Sequence, residues 1–175
     1  KEVKKDDVTD VLDAISAFKE GTKVFILATF KQHKNRDIKE ELNILSQKGF
    51  SRVYSCASGG RNPKAGEMNR QTGVIHRIEE LSVLTDKELK TKKITHILVD
   101  RIVVKDFDED DKHRIADSVG TAFYEGEGDV YLEINGEQQL HFNNRFEADG
   151  MQFEEPSPNL FSFNIISRIF SNLCY

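Results

Sequence analysis

Residues 94–126 read ITHILVDRIVVKDFDEDDKHRIADSVGTAFYEG, and the fold class turns on them. The first half, Ile94 to Val104, is the clearest strand signal in the chain. Ile97, Val99 and Val103 alternate onto one face, and Leu98, Ile102 and Val104 onto the other. A strand apolar on both faces belongs inside a sheet, yet Asp100 and Arg101 interrupt it. Neighbours on a strand point to opposite faces, so these two charges cannot satisfy each other by adjacency. Each needs its own partner or its own route to water. The second half is an amphipathic helix. Its acidic start, Asp108 to Asp111, suits the positive end of the helix dipole, and Ile115, Val119, Ala122 and Phe123 form its apolar stripe.

Upstream, Asp6 and Asp7 precede Val8, Val11, Leu12, Ile15 and Phe18 at helical spacing, a capped helix that ends at Gly21. Lys23 to Phe30 is a buried-type strand, residues 31–36 (KQHKNR) a basic loop, and Asp37 to Lys48 a second amphipathic helix. Phe50 to Ser55 is a short strand with Phe50, Arg52 and Tyr54 on one face. Residues 57–73 (ASGGRNPKAGEMNRQTG) break every period and read as a loop. Val74 to Val83 fits a strand pair or one short helix, and Asp86 to Lys93 a charged connector.

Downstream, Asp129 to Ile134 and Gln138 to Asn143 flank Asn135–Gly136, whose positive φ suits a tight hairpin. The order β-α-β, polar excursion, β-α-β-β predicts an α+β fold: an open mixed or antiparallel sheet, helices on one face, a C-terminal hairpin and an irregular appendage. The domain expectation is residues 1–144, with 145–175 as the appendage.

The 175 residues fit one domain plus an appendage, and 38% hydrophobic content with twelve Phe supplies a core. A net charge of −5 argues against a mainly nucleic-acid-binding surface, while the basic stretches 31–36 and 61–70 keep that alternative in play. Cys56 and Cys174 lie far apart without CxxC spacing, so a reducing, cytoplasmic setting is expected over a disulfide framework. No apolar run approaches the roughly 20 residues of a membrane span. The opening residue is Lys1 rather than Met, which points to a piece of a longer chain.

Catalytic chemistry finds little support. The five His are scattered, the Gly-rich loop matches neither GxxxxGK[ST] nor GxGxxG, and Cys56 has no partner at a recognisable spacing. Arg52 and Arg101 are more informative, because both stand among apolar strand residues. Two readings compete there: structural salt bridges or edge charges, and rigid planar donors presented to a partner's carboxylates.

Several stretches resemble the amino-terminal half of the UvrA family, the damage sensor of the bacterial UvrABC excinuclease. They are VTDVLDAISAFKEGTKVFILATF, KGFSRVY, THILVDRIVVKD, RIADSVGTAFYEGEGDVYLEI and EEPSPNLFSFN, in the family's order across residues 3–164. The resemblance implies a part in damage recognition during nucleotide excision repair. It further implies that this segment is a non-catalytic interaction domain that docks UvrB, the helicase-like component of the same system. Arg52 and Arg101 match family positions that contact UvrB, and Asp100 is expected to orient one of them. DNA, ATP and zinc are implied for the full-length protein rather than for this segment, which has no Walker or ABC signature and no CxxC before LFSFN. Residues 165–175 depart from the family pattern and read as a tail foreign to it.

Overall fold

The computed structural model describes residues 5–56, 68–70, 73–145, 147–148 and 151–152. Contacts divide the chain into a body, Lys5–Arg145, and a second unit of residues 1–4 and 146–175. The described part of the latter is a short ladder of Glu147–Ala148 against Met151–Gln152. The body contains α1 (Val8–Ser16), β1 (Lys23–Thr29), α2 (Ile38–Gln47), β2 (Arg52–Cys56), β3 (Met68–Arg70) and β4 (Gly73–Arg77). It continues with α3 (Ile78–Ser82), α4 (Asp86–Lys92), β5 (Ile94–Val103), α5 (Glu109–Glu125), β6 (Asp129–Ile134) and β7 (Gln138–Asn143).

The strands form one seven-stranded sheet in the order β3-β7-β6-β1-β5-β2-β4. Every described pairing is antiparallel, so the expected α+β class holds and the sheet is not mixed. Each helix sends apolar residues into a single cluster on one face of the sheet. Val11 and Ile15 of α1, Leu42 of α2, Leu81 of α3, Leu89 of α4 and Val119 of α5 meet Val24, Ile26, Ile97 and Leu132 there. Burying side chains of this size stabilises by about 1.5–3 kcal/mol each, so this cluster is what holds the body together.

Local sequence explains the element boundaries. The Asp7 carboxylate accepts from the N–H groups of Thr9 and Asp10, and Asp108 does the same for Asp111, which satisfies donors that a helix start leaves free. The expected connector at residues 86–93 is instead helix α4. Glu88 accepts from both the N–H and the hydroxyl of Thr85, and Leu89 is buried, so a cap and an anchor outweigh the charged composition. Val74 to Val83 resolves into a strand followed by a helix, and Met68–Arg70, expected as loop, pairs with β7. The hairpin forms as expected, with Asn135 at φ 52° and Gly136 at φ 77°.

The other face of the sheet carries no helix among the described residues, yet Leu27, Tyr54, Leu98 and Tyr131 are buried there. Curvature provides a reason. The edge strands β3 and β4 are separated in sequence only by residues 71 and 72. Three peptide steps keep Arg70 and Gly73 within about 11 Å of each other, whereas a flat sheet of this width would hold its edges about 29 Å apart. The sheet therefore coils around its second face. That face is lined by an aromatic ladder: Tyr54 against His96 at 5.9 Å, His96 against Tyr131 at 4.7 Å, and Tyr131 stacked on His141 at 4.4 Å. Burial pushes the His96 imidazole down to about 4, so the middle of this ladder is uncharged at neutral pH, and at its far end Asp129 accepts from His141 Nε2 at 2.8 Å.

Candidate functional site

The site begins with a bulge in β5. Along β1, Ile26 lies opposite Asp100 and the next residue, Leu27, lies opposite Leu98, so Val99 is an extra residue on the β5 side. Simple alternation would put Arg101 on the face of Ile97, under the helices. The extra residue reverses the phase from Asp100 onward. Ile97, Asp100, Ile102 and Val104 consequently share the helix face, and Leu98, Arg101 and Val103 share the other. Val99 packs toward the helix face with Ile97, as expected, whereas Val103 moves to the other face and Ile102 and Val104 join Ile97. The bulge is what turns Arg101 outward.

Arg52 reaches the same face from the neighbouring strand. Val53 pairs with Ile97 and Tyr54 with His96, so continuing the antiparallel ladder sets Arg52 level with Leu98. Arg52 opens β2 and Arg101 lies near the end of β5, so both stand at one end of the sheet rather than mid-strand. Arg101 is exposed and Arg52 half-buried. Between and beside them stand Phe25, opposite Arg101, and Val103, which is 56% exposed. The only side-chain partner of Arg52 among the described residues is the Ser51 hydroxyl at 3.5 Å, and Arg101 has no ion pair there.

Asp100 is not brought to this face. Its Oδ2 accepts from Arg114 Nη1 at 2.5 Å and from the Ser118 hydroxyl at 3.0 Å, both on α5. Its Oδ1 accepts from the backbone N–H of Arg101 at 2.7 Å. Asp100 thus clamps the bulged backbone to α5, and the Arg101 guanidinium has no ion pair among the described residues. The expectation that it orients an arginine side chain is replaced by that role.

Among the described residues, Glu133 lies on the arginine face and pairs in register with Phe25, on the side away from Arg101. It is 1% exposed, its Oε2 has no hydrogen-bond partner, and burial pushes its carboxyl up to about 7. Glu133 is therefore protonated below neutral pH and ionises only around pH 7, so it offsets the arginine charge far less than an ordinary carboxylate would. A stability consequence follows. Below the unfolded-state pKa both states carry the proton. As pH rises toward 7 the unfolded chain ionises first, so this residue's contribution is lost through that window. Glu133→Gln should leave stability at pH 4 unchanged and flatten its decline between pH 4.5 and 8 by about 1–3 kcal/mol in urea titrations. An unflattened curve would mean Glu133 titrates normally.

The basic loop 31–36 is occupied with carboxylates. Lys31 pairs with Glu127, and the His33 ring and Arg36 both reach Glu41, at 2.7 and 3.7 Å. Burial works to raise the Glu41 pKa, but bonds from the His33 backbone and ring, aided by Arg36, outweigh it and keep the carboxyl ionised. The other basic stretch, 61–70, lies outside the described residues except for the backbone of Met68–Arg70. His76 is hydrogen-bonded to the Ser55 hydroxyl at 2.9 Å. Among the described residues no group of three or more His, Cys, Asp or Glu is placed to hold a metal ion, and no helix is long and apolar enough to cross a membrane.

Sequence reasoning missed one residue of this face. Arg77, the last residue of β4, lies directly opposite Arg52 and is exposed.

The family model of the UvrA interaction domain matches residues 7–55 and 70–136. The chain is 30% identical over 168 residues to UvrABC system protein A of Clostridium acetobutylicum, and 30% identical over 170 residues to that of Methanothermobacter thermautotrophicus. It is 28% identical over 170 residues to the protein of the same name from Rickettsia felis. These alignments cover 94%, 94% and 90% of this chain but only 15%, 16% and 16% of the respective relatives, so the chain spans about a sixth of their length. The matched segment brackets β1, β2, β5, α5 and the arginine face between them, and the chain belongs to the UvrA interaction domain family.

Proposed function

We propose that this chain docks UvrB for a UvrA-type damage-recognition protein of nucleotide excision repair, acting in the cytoplasm. An interaction domain works on a protein partner, and this one carries no reaction of its own. The observation that carries the reading is the pair of outward guanidiniums, Arg52 and Arg101, on a face from which two nearby acids are withheld. Asp100 is turned to α5 and Glu133 is buried with its pKa raised, so a chain of net charge −5 keeps a positive patch at this end of its sheet. Such a patch attracts an acidic protein surface, speeds encounter and fixes the docked register more than it adds raw affinity. Phe25 and Val103 give the same face an apolar contact. ATP hydrolysis and DNA contact belong, in this reading, to the full-length protein.

Calorimetry of the chain with purified UvrB tests the proposal. Binding should weaken at least about tenfold between roughly 50 and 300 mM salt, because exposed charge pairs are screened over a Debye length of about 8–10 Å. A parallel titration with duplex DNA should give no heat at physiological salt, since Lys31, His33 and Arg36 already have carboxylate partners. Tight DNA binding with a steep salt slope and no response to UvrB would reverse the assignment.

A further inference from the structure

The register of β2 against β4 sets Arg52 directly opposite Arg77. Directly opposed residues of an antiparallel pair share a face, with Cβ atoms about 5 Å apart, and like charges in that position repel. Neither guanidinium has a carboxylate among the described residues, and Arg77 is exposed. Arg77 also immediately precedes α3, whose Ile78 and Leu81 are buried, so its backbone is held and its side chain has a defined origin. Arg101 stands one strand away on the other side of Arg52. Three arginines on adjacent strands thus stand toward one end of the same face of the sheet.

We infer that Arg77 is a third docking residue, and that the surface it fits is a cluster of at least two carboxylates on the partner protein. The inference rests on the docking reading above and sharpens it. One carboxylate accepts two parallel bonds from a single guanidinium. An opposed arginine pair with no carboxylate partner among the described residues is therefore relieved fully only when two or more carboxylates arrive together. A lone aspartate, or a polar uncharged surface, would leave one of the two arginines unmatched. The same cluster disfavours a basic or neutral partner, which gives the face selectivity as well as attraction.

Calorimetry with UvrB on Arg52→Ala, Arg77→Ala, Arg101→Ala and the Arg52→Ala/Arg77→Ala double variant separates the outcomes. Arg77→Ala should weaken binding five- to twentyfold and reduce its salt dependence, without lowering the thermal midpoint of the free chain. The double variant should lose less than the product of the two single losses, because the arginines serve one carboxylate cluster. If Arg77→Ala binds as the parent does while Arg52→Ala and Arg101→Ala are weakened, docking at this face stands and the third-arginine inference is wrong. If all three bind as the parent does, docking at this face is itself wrong. A drop in the thermal midpoint for Arg77→Ala with unchanged binding would assign the residue to folding and overturn the inference equally.

Discussion

Reversing Arg52 or Arg101 to glutamate is expected to cut affinity for UvrB at least a hundredfold while leaving the fold in place. The magnitude follows from placing a carboxylate where the partner presents its own: truncating one member of a desolvated charge pair costs about 2–5 kcal/mol, and reversal adds repulsion. The stability side of the prediction is the more discriminating. Arg101 has no ion pair among the described residues, so Arg101→Glu removes nothing that the free domain uses. Arg52→Glu replaces a repulsive cross-strand neighbour of Arg77 with an attractive one, worth a few tenths to about 1 kcal/mol in the folding direction. Binding and stability should therefore move in opposite directions at Arg52. Denaturant titration and calorimetry on the same preparations check both. A variant that loses binding because it unfolds would sink the assignment, and so would one that binds normally.

Much of this face was readable from residues alone, and the missing part has a physical cause. Arg52 and Arg101 were conspicuous because a charge among apolar strand residues lacks an obvious partner. Asp100 and Arg101 were correctly expected to need separate solutions: Asp100 found α5 and Arg101 found solvent. The bulge was invisible, because β5 is apolar on both faces and inserting Val99 leaves a hydrophobic residue wherever one is wanted. A strand with one polar face would have betrayed the slip. Arg77 was hidden differently. It sits in VIHRIEELSV, where strand and helix periods fit equally well, and only the register with β2 places it opposite Arg52. The paired state of the 31–36 loop was equally out of reach, since Glu127 comes from far along the chain.

The geometry of the arginine face depends on a turn remote from it, and Gly126→Ala is the change that tests this dependence. Gly126 caps α5 and starts the turn into β6. A Cβ at this position would fall 2.1 Å from the carbonyl oxygen of Asp129 and 2.9 Å from that of Ala122. Both obstacles are backbone, so neither can swing aside as a side chain would. The substitution should cost about 3 kcal/mol or more, in the range of severe steric changes. Gly120→Ala supplies the control: nothing lies within 4 Å of its Cβ, it is inside the same helix, and it should stabilise by about 1 kcal/mol. The effect should then propagate. Displacing the end of α5 disturbs the helix that carries Arg114 and Ser118, those two residues hold Asp100, and Asp100 holds the backbone N–H of Arg101. Gly126→Ala should consequently weaken UvrB binding even at temperatures where most of the chain stays folded, whereas Gly120→Ala should leave it unchanged. Urea unfolding followed by calorimetry in the folded range measures both. Equal stabilities for the two variants would refute the close approach at Gly126. Full affinity in a destabilised Gly126→Ala would break the chain of contacts from the turn to Arg101.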